Sequence, residues 1–355
     1  MVIAIDELDA PTLSRVLRES ALTLGATVTT VERRPVGAGQ VASCWELVLG
    51  LDDRDHTVSI VAKGPSEDPL SLATANAQHL YRREVRFYEQ VAATVRIRTP
   101  DCHHVAYDEV TGKFLLLLES MTPAAVADQL EGLSEARSRH AVSELAGLHA
   151  PHWAAPSLRS MSFVEDASAS LRPLYLEVVP VLFDAFLERY GDALSAGARG
   201  VVEWLGPRLG RYMEGRAGPQ TVIHGDFRTD NLLFEGQGGV VPMATVDWQT
   251  IGHGCAALDV AYLLTTSLTT EARRRDEHAL LEVYLDRLRS LGVSGYGMAD
   301  LQSDYVWHAF QGVVMLVCAS MIVARTDRGD RMFLTMIERS AAAVDDLGSR
   351  RALEA

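Results

Sequence analysis

The sequence predicts an α+β protein in which a small antiparallel β-sheet lobe precedes a larger, mostly helical lobe. In the first third of the chain, short runs rich in Val, Ile, Thr and Trp alternate with turn-like stretches, which is typical of a β-meander. After Thr122 the apolar residues recur mostly at helical spacing. The length of 355 residues suits about two domains or one two-lobed unit. We therefore expect one lobe over residues 1–118, a hinge at 119–123 and a second lobe over 124–355.

The sheet lobe is expected to begin with a helix and to contain five strands. Apolar residues at helical spacing, among them Leu13 and Leu17, predict an amphipathic helix over about 11–24. The predicted strands are 28–36, 43–51, 57–63, 103–110 and 114–119, and one long helix is predicted over 69–93. The Thr111-Gly112 pair between the last two strands is typical of a hairpin turn.

The second lobe is expected to be helical with two short β pieces. The predicted helices lie near 134–150, 171–190, 195–215, 255–268, 271–291, 298–325 and 330–347. The β pieces are predicted at 221–234 and 243–247. No repeat and no low-complexity segment interrupts this order.

The charge balance disfavours two classes of partner. The chain has 33 Lys+Arg against 47 Asp+Glu, a formal net charge of −14. Such a surface repels phosphate backbones and anionic lipid, so we expect no nucleic-acid partner and no membrane partner. The longest apolar run, residues 313–324, is too short to span a bilayer, and the N-terminus does not resemble a signal peptide.

The cysteine pattern favours a reducing compartment. The four cysteines are scattered and form no CxxC pair, which disfavours a disulfide framework and a structural zinc site. The Cys102-His103-His104 triplet lacks a second pair of ligands at metal spacing, and we interpret it as a strand edge. A cytoplasmic protein is therefore expected.

The stretch 221–234, TVIHGDFRTDNLLF, carries the most specific chemical signal in the chain. Asp226 follows His-Gly, Asn231 comes five residues later, and Asp247 ends an apolar run sixteen residues after that. Phosphoryl transfer needs such a set, in which one carboxylate accepts the proton of an attacking hydroxyl while an amide and a second carboxylate hold Mg²⁺. Apolar neighbours on both sides predict that short strands fix the ends of this loop.

The HGDFRTDN motif followed by VDWQ resembles the catalytic loop and metal-binding acid of the kinase-like aminoglycoside phosphotransferase and choline kinase superfamily. Within that superfamily the chain is most similar to the ecdysteroid-kinase-like branch and its bacterial relatives. The likeness extends upstream through GAGQVASCWEL, VSIVAKGP, YRREVRFYEQV and FLLLLESM, and downstream to LDVAY. The resemblance implies a bilobal protein-kinase-like fold with a nucleotide-binding first lobe and a catalytic, acceptor-binding second lobe.

The resemblance also implies roles for individual residues. Asp226 is expected to be the catalytic base, and Asn231 and Asp247 are expected to bind Mg²⁺. Lys63, at the end of the third predicted strand, is expected to contact the α- and β-phosphates of ATP and to pair with Glu84. For Lys63, an exposed strand-end lysine is the alternative.

Several further residues are candidates for nucleotide contacts. Gly37 and Gly39 lie where kinases place a loop over the phosphates, and an ordinary glycine hairpin is the equal alternative. Ser43 is a candidate hydroxyl donor. Glu119 and Met121 lie in the expected hinge and are candidate nucleotide contacts.

Other residues are assigned to the catalytic loop and its support. Arg228 is a candidate for neutralising charge on the γ-phosphoryl group, and a surface arginine paired with Asp230 is the alternative. We expect His224 to serve hydrogen bonding within the loop. Asp259 is expected to bind the loop backbone and not a metal.

The departures from protein kinases favour a small-molecule acceptor. Asp-Trp-Gln replaces Asp-Phe-Gly, no Ala-Pro-Glu segment follows, and the stretch between Asp247 and the next predicted helix is too short for an activation loop. Tyr305, Trp307 and His308 are candidates for the wall of an acceptor pocket, and a core location is the alternative.

The sequence therefore predicts an ATP- and Mg²⁺-dependent phosphotransferase acting on a hydroxyl of a small molecule. A catalytically silent kinase-like binding protein is the alternative, which the presence of the whole Lys, Glu, Asp, Asn and Asp set disfavours. The acceptor stays open between an aminoglycoside-like or other sugar and an apolar, steroid-like alcohol. The oligomeric state also stays open.

Overall fold

The computed structural model describes residues 2–36, 41–53, 55–215 and 218–355. Their contacts divide the chain into two compact units. Unit 1 comprises Met1–Thr94, Arg98–Ala125 and Glu235–Thr250, and unit 2 comprises Val95–Ile97, Val126–Phe234 and Ile251–Ala355. The short segment that contains Asp247 thus groups with the N-terminal part of the chain.

Unit 1 is built on an antiparallel sheet with the strand order β1-β2-β3-β5-β4. Its strands are β1 (Val28–Pro35), β2 (Ala42–Leu51), β3 (Val58–Pro65), β4 (Cys102–Tyr107) and β5 (Phe114–Glu119). All five predicted strands are present. Most side chains of the edge strand β1 are exposed, among them the charged Glu32, Arg33 and Arg34, which discourage pairing with another chain. β5 lies inside the sheet, and its side chains are buried along nearly its whole length.

The helices of unit 1 are shorter than the sequence predicts. They are α1 (Ala10–Val16), α2 (Pro69–Ala77) and α3 (Leu80–Arg86). The single helix predicted over 69–93 is wrong, because His79 adopts a left-handed backbone with φ 55° and separates α2 from α3. α3 then continues into a π turn over Phe87–Val91. Glu84 is therefore carried by a separate short helix, α3.

The core of unit 1 lies between the sheet and α1. Leu13 of α1 and Leu17 beyond it are fully buried against Leu47 and Leu49 of β2 and Leu117 of β5. Such apolar burial is the main driving force for holding a helix on a sheet. β4, which carries Cys102-His103-His104, is the outer strand, as expected of a strand edge. Among the residues the structure describes, no group of three or more His, Cys, Asp and Glu side chains could hold a metal ion.

Unit 2 is mostly helical. Its helices are α4 (Glu135–His149), α5 (Ser162–Tyr190), α6 (Ala196–Leu205), α7 (Leu209–Met213), α8 (Ala257–Ser267), α9 (Thr270–Ser290), α10 (Met298–His308), α11 (Phe310–Ile322), α12 (Asp327–Asp346) and α13 (Ser349–Glu354). The remaining strands of the chain are β6 (Ala125–Val126), β7 (Gln220–Ile223), β8 (Leu232–Glu235), β9 (Val241–Thr245) and β10 (Gly252–Cys255). β7 and β10 pair antiparallel, with Gly252 opposite Ile223. The sequence does not predict β10, because Gly-His-Gly-Cys lacks the β-branched and aromatic residues of a typical strand.

The helix predicted over 298–325 is two helices, since a turn at Ala309 separates α10 from α11 and α11 ends at Ile322. The combined stretch Met298–Ile322 is long and apolar enough to cross a membrane, but 56% of its most apolar window is buried inside the protein. Phe310, Val313 and Leu316 belong to the large apolar core of unit 2. This burial is typical of a core helix in a soluble protein.

Candidate active site

The His-Gly-Asp motif lies in a loop of unit 2 between β7 and a 3₁₀ turn over Thr229–Asn231. The side chain of Asn231 closes this loop, because its Nδ2 donates to the backbone oxygen of Asp226 at 2.8 Å and to Asp226 Oδ2 at 3.0 Å. With the amide nitrogen engaged in this way, the amide oxygen of Asn231 is the group that a cation could use. The structure therefore brings Asp226 and Asn231 together, and leaves one oxygen donor on the amide.

Asp259 holds the backbone of the same loop from the first turn of α8. Its Oδ2 accepts the N–H of His224 at 2.7 Å, and its Oδ1 accepts the N–H of Gly225 at 2.9 Å. Gly225 has φ 83°, a left-handed conformation that a residue with a Cβ rarely adopts. The N–H of Asp226 donates to His224 Nδ1 at 3.3 Å, as expected for hydrogen bonding within the loop. These bonds fix the backbone on both sides of the turn, so the position of Asp226 is determined before any ligand binds.

Arg228 contacts two carboxylates at once. Its Nε lies 3.3 Å from Asp226 Oδ1, and its Nη1 pairs with Asp230. Burial alone would lower the pKa of Arg228, but the adjacent Asp226 and Asp230 outweigh it and raise that pKa. The pairing with Asp230 that was the alternative for Arg228 is therefore present, and it coexists with a contact to Asp226. A guanidinium in this place fixes the orientation of both carboxylates through charge-assisted hydrogen bonds.

Sequence reasoning did not single out Tyr262 as a contact of Asp226. Tyr262 lies on α8, three residues after Asp259, so both side chains project from the same face of the helix. Burial, together with a hydrogen bond to Asp226, raises the pKa of the Tyr262 hydroxyl well above its usual value, so the hydroxyl stays protonated and donates. The helical spacing from Asp259 is the signal that could have identified this contact.

Unit 1 brings together three of the predicted residues. The Nζ of Lys63 lies 2.7 Å from the Glu84 carboxylate and 3.0 Å from Asp247 Oδ1. Lys63 is buried, so the alternative of an exposed strand-end lysine is wrong. Burial alone would lower the pKa of Lys63, but the carboxylates of Asp247 and Glu84 hold it well above its usual value. Lys63 is therefore a protonated cation between two acids.

Asp247 is positioned by its own backbone and by the residue that follows it. Its φ is 66°, in the left-handed region that non-glycine residues rarely occupy and that costs backbone strain. Trp248 is fully buried, stacks on Phe87 at 3.8 Å between ring centroids, and donates from Nε1 to Thr99 Oγ1 at 3.0 Å. These contacts hold the strained turn. About a third of the Asp247 side chain (30%) remains exposed, and its Oδ2 accepts from Gln249 Nε2 at 3.2 Å.

The predicted hinge residues are bound to a turn that follows β8. The Glu119 carboxylate accepts from Arg98 at 2.6 Å and from Gln237 Nε2 at 2.8 Å, and the Met121 carbonyl accepts the N–H of Gln237 at 2.9 Å. Burial alone would raise the pKa of Glu119, but the hydrogen bonds from Arg98, the Asp101 N–H and Gln237 outweigh it and lower that pKa. The Glu119 side chain is thus engaged within unit 1, and its backbone N–H donates to the Asp101 carbonyl at 2.8 Å, so a nucleotide contact of Glu119 stays a prediction for its carbonyl.

Three candidate contacts of the nucleotide remain, namely Ser43, Gly37 and Gly39. Ser43 is the second residue of β2, opposite Gly64 of β3, and is partly exposed. Gly37 and Gly39 lie outside the described residues.

The late aromatic segment is core. Trp307 is only 4% exposed, and its ring stacks on Tyr212 at 6.3 Å between centroids within the apolar core of unit 2. Tyr305 and His308 are buried as well, and the Tyr305 hydroxyl donates to Glu277 at 3.2 Å. Their burial supports the alternative that these residues are core. The sequence could not decide, because an aromatic stripe at helical spacing has the same composition whether it faces a pocket or a core.

The residues predicted to bind Mg²⁺ have suitable chemistry. Asp247 offers a partly exposed carboxylate, and Asn231 offers an amide oxygen once its nitrogen is engaged by Asp226. Mg²⁺ prefers oxygen ligands of these kinds and completes its shell with water and phosphate oxygens. Each of the two donors, taken by itself, has the chemistry that Mg²⁺ prefers, and their joint binding of the metal stays a prediction.

The sequence matches one protein family over most of its length. The profile of the ecdysteroid kinase-like family matches residues 44–293, which is more than half of the chain. The matched range contains the Lys63 cluster, the loop around Asp226 and the Asp259 support. No curated protein matches the chain.

Several solved structures are similar to this chain at low sequence identity. A microcompartment-associated aminopropanol kinase is 13% identical, with a TM-score of 0.52 over 97% of this chain and 99% of that one. A choline/ethanolamine kinase family protein from Mesorhizobium loti is 15% identical, with a TM-score of 0.49 over 97% of this chain and 98% of that one. At such identities the likeness concerns the fold. The chain thus belongs to the ecdysteroid kinase-like family and has the bilobal kinase-like phosphotransferase fold of the small-molecule kinases.

Proposed function

We propose that the protein is a cytoplasmic, ATP- and Mg²⁺-dependent phosphotransferase that moves the γ-phosphoryl group of ATP to a hydroxyl of a small molecule. The observation that carries the proposal is the buried Lys63 between Glu84 and Asp247, together with the exposed fraction of Asp247. A Lys63–Glu84 ion pair with a purely structural role would not require Asp247 as a second carboxylate. The second, partly exposed carboxylate provides a charged oxygen for a cation, and Lys63 provides a positive group for phosphate oxygens.

Each residue has a task in the proposed reaction. Asp226 accepts a hydrogen bond from the acceptor hydroxyl and takes its proton as the oxygen attacks phosphorus. Arg228 and the Tyr262 hydroxyl contact the Asp226 carboxylate and orient it. Asn231 and Asp247 would hold Mg²⁺, which neutralises charge on the phosphates when bound. Lys63, held by Glu84, binds the nucleotide phosphates, and the backbone of Glu119 and Met121 is the proposed contact for the base.

For the acceptor we propose an apolar alcohol, and two observations favour it over a cationic sugar. The family to which the chain belongs is named for ecdysteroid kinases. Large apolar side chains are also exposed on α5 and at the end of α11, among them Val181 at 65%. Polycationic sugars would instead require several exposed carboxylates at the acceptor site.

A chain of contacts within unit 2 connects α5 to the catalytic loop. The Tyr190 hydroxyl at the end of α5 donates to Asp330 of α12 at 2.6 Å. Two residues further along α12, the sulfur of Met332 lies 3.8 Å from Arg228 Nη1. The C-terminal end of α5 and the catalytic loop thus both contact α12.

A coupled ADP-release screen tests the proposal. Purified protein is supplied with Mg·ATP and either steroid-like alcohols or cationic sugars, and mass spectrometry detects an added phosphate on the acceptor. We expect acceptor-dependent release with apolar alcohols, and none with the matched Asp226→Asn variant. Binding of Mg·ATP without phosphorylation of any acceptor would instead favour the catalytically silent alternative. Phosphorylation of cationic sugars alone would overturn the proposed acceptor class.

A further inference from the structure

The imidazole of His149 lies at the centre of a buried chain of hydrogen bonds in unit 2. Its Nε2 is 3.2 Å from Asp259 Oδ2, and its Nδ1 is 2.8 Å from the hydroxyl of Tyr284 on α9. None of these three side chains is exposed to solvent. Asp259 in turn accepts the backbone N–H groups of His224 and Gly225, which directly precede Asp226.

The direction of each hydrogen bond follows from the chemistry of the partners. Both oxygens of Asp259 already accept backbone N–H groups, so we assign Asp259 as the acceptor and His149 Nε2–H as the donor. With the proton of His149 on Nε2, Nδ1 has a lone pair, which accepts from the Tyr284 hydroxyl. Burial raises the pKa of Tyr284 well above its usual value, so the hydroxyl keeps its proton.

A hydrogen bond to the backbone of His149 also fixes the position of this residue. The Thr221 hydroxyl on β7 donates to the His149 carbonyl at 2.6 Å, which joins the end of α4 to the strand that leads into the catalytic loop. The rings of His149 and Tyr284 also meet edge to face, with centroids 5.8 Å apart. His149 can therefore neither turn over nor move away from Asp259 without breaking a buried hydrogen bond, and an unpaired buried group is costly.

We propose that Tyr284 is a positioning residue for the base Asp226 and that it acts through His149 and Asp259. By donating to Nδ1, Tyr284 keeps the proton of His149 on Nε2, where it orients the Asp259 carboxylate. That carboxylate holds the N–H groups of His224 and Gly225 and thereby the left-handed turn that presents Asp226. This inference rests on the proposed phosphotransferase function, and it adds a residue 58 positions beyond Asp226 that touches neither substrate nor metal.

The test uses Tyr284→Phe, which removes one oxygen and keeps the ring. Turnover, normalised to the fraction of protein that binds Mg·ATP, is expected to fall about 3- to 10-fold, with the KM for ATP unchanged, because one buried hydrogen bond is lost. The matched control is Tyr212→Phe, which removes a buried hydroxyl bonded to Gln311 at 2.9 Å elsewhere in unit 2. The control is expected to keep wild-type turnover.

Two readouts separate positioning from general stability. Nitrogen NMR of the His149 ring, assigned by comparison with His149→Gln, is expected to show a protonated Nε2 and a hydrogen-bonded Nδ1 in the wild type, and a changed Nδ1 signal in Tyr284→Phe. Hydrogen exchange at the amides of His224 and Gly225 is expected to become faster in Tyr284→Phe and to stay slow in Tyr212→Phe. A double-mutant cycle completes the test, because adding Tyr284→Phe to His149→Gln should then change turnover by less than about 2-fold.

The outcomes distinguish the inference from the function on which it rests. A wild-type protein without acceptor-dependent turnover would refute the proposed function. A wild type with turnover and a Tyr284→Phe variant with the same turnover and the same amide exchange would refute the role of Tyr284 alone. Equal losses from Tyr284→Phe in the wild-type and His149→Gln backgrounds would also refute it, because the effect would then not pass through His149.

Discussion

Replacing Lys63 by Met is expected to destabilise unit 1 strongly as well as to abolish activity. The substitution leaves Glu84, which is 1% exposed, without the cation that lies 2.7 Å from its carboxylate. Breaking a buried ion pair by removing one partner costs about 3–5 kcal/mol, most of which is the cost of the uncompensated charge. Asp247 loses the same cation, but its partly exposed carboxylate can recover water, so we assign the cost to Glu84.

The cost should depend on pH with a definite sign. Burial raises the pKa of Glu84 above its usual value even with Lys63 beside it, and removing Lys63 raises it further. A carboxyl whose pKa is higher in the folded than in the unfolded state contributes stability below the unfolded pKa of about 4.3 and loses it as the pH rises through the folded pKa. Lys63→Met should therefore cost little near pH 4 and its full amount at pH 8.

Urea unfolding of the variant at several pH values measures this. The matched controls are Lys113→Met, an exposed lysine expected to cost almost nothing, and the double variant Lys63→Met/Glu84→Gln. The double variant replaces the buried carboxylate by a neutral amide and should recover about half or more of the lost stability at pH 8, with activity still absent. A Lys63→Met variant that loses the same stability at every pH, or a double variant less stable than the single one, would refute the assignment of the cost to a buried Glu84 charge.

Two further predictions concern the reaction. Asp226→Asn should lower turnover about 10²- to 10⁴-fold with the affinity for Mg·ATP unchanged. The control Asp230→Asn, in the same loop, should lower turnover far less. Activity of Asp226→Asn within a few-fold of wild type in the ADP-release assay would contradict the role of Asp226 as base. Asp247→Ala should abolish the Mg²⁺-dependent part of the rise in melting temperature that ATP causes, since the cation needs the carboxylate. The control Gln249→Ala should keep this rise. A Mg²⁺-dependent rise that survives in Asp247→Ala would show that another residue is the ligand.

The five strands of the sheet and the catalytic motif could be predicted because both are encoded locally. The enrichment in β-branched and aromatic residues that is typical of a strand is visible within a few residues. Asp226 and Asn231 lie five residues apart in a loop that Asn231 itself closes. The Lys63–Glu84 pair could be expected only from the resemblance, since the two residues meet across 21 positions of chain. The break of the helix at His79 could not be predicted, because apolar spacing continues through it and only the left-handed φ separates α2 from α3.

The support of the site could not be predicted for a different reason. The hydrogen bond between Gln237 and Glu119 and that between His149 and Tyr284 join positions more than 100 residues apart. Neither Gln237 nor Tyr284 has a composition or spacing that distinguishes it from a surface glutamine or a core tyrosine. Such partners are selected by the packing of whole elements, which a single sequence does not display.

The late aromatic segment shows the same limit, because the sequence left both a pocket wall and a core location open for Trp307, and the structure decides which result to expect from its substitution. Trp307→Ala removes a large side chain that is 4% exposed within the core of unit 2, so we expect a loss of about 3–5 kcal/mol in the free energy of unfolding. The KM for the acceptor, measured on the fraction that still binds Mg·ATP, should stay near that of the wild type. Trp204→Ala, at a partly exposed tryptophan beside the same core, should cost less. A Trp307→Ala variant of normal melting temperature with a raised acceptor KM would place Trp307 in the acceptor pocket after all.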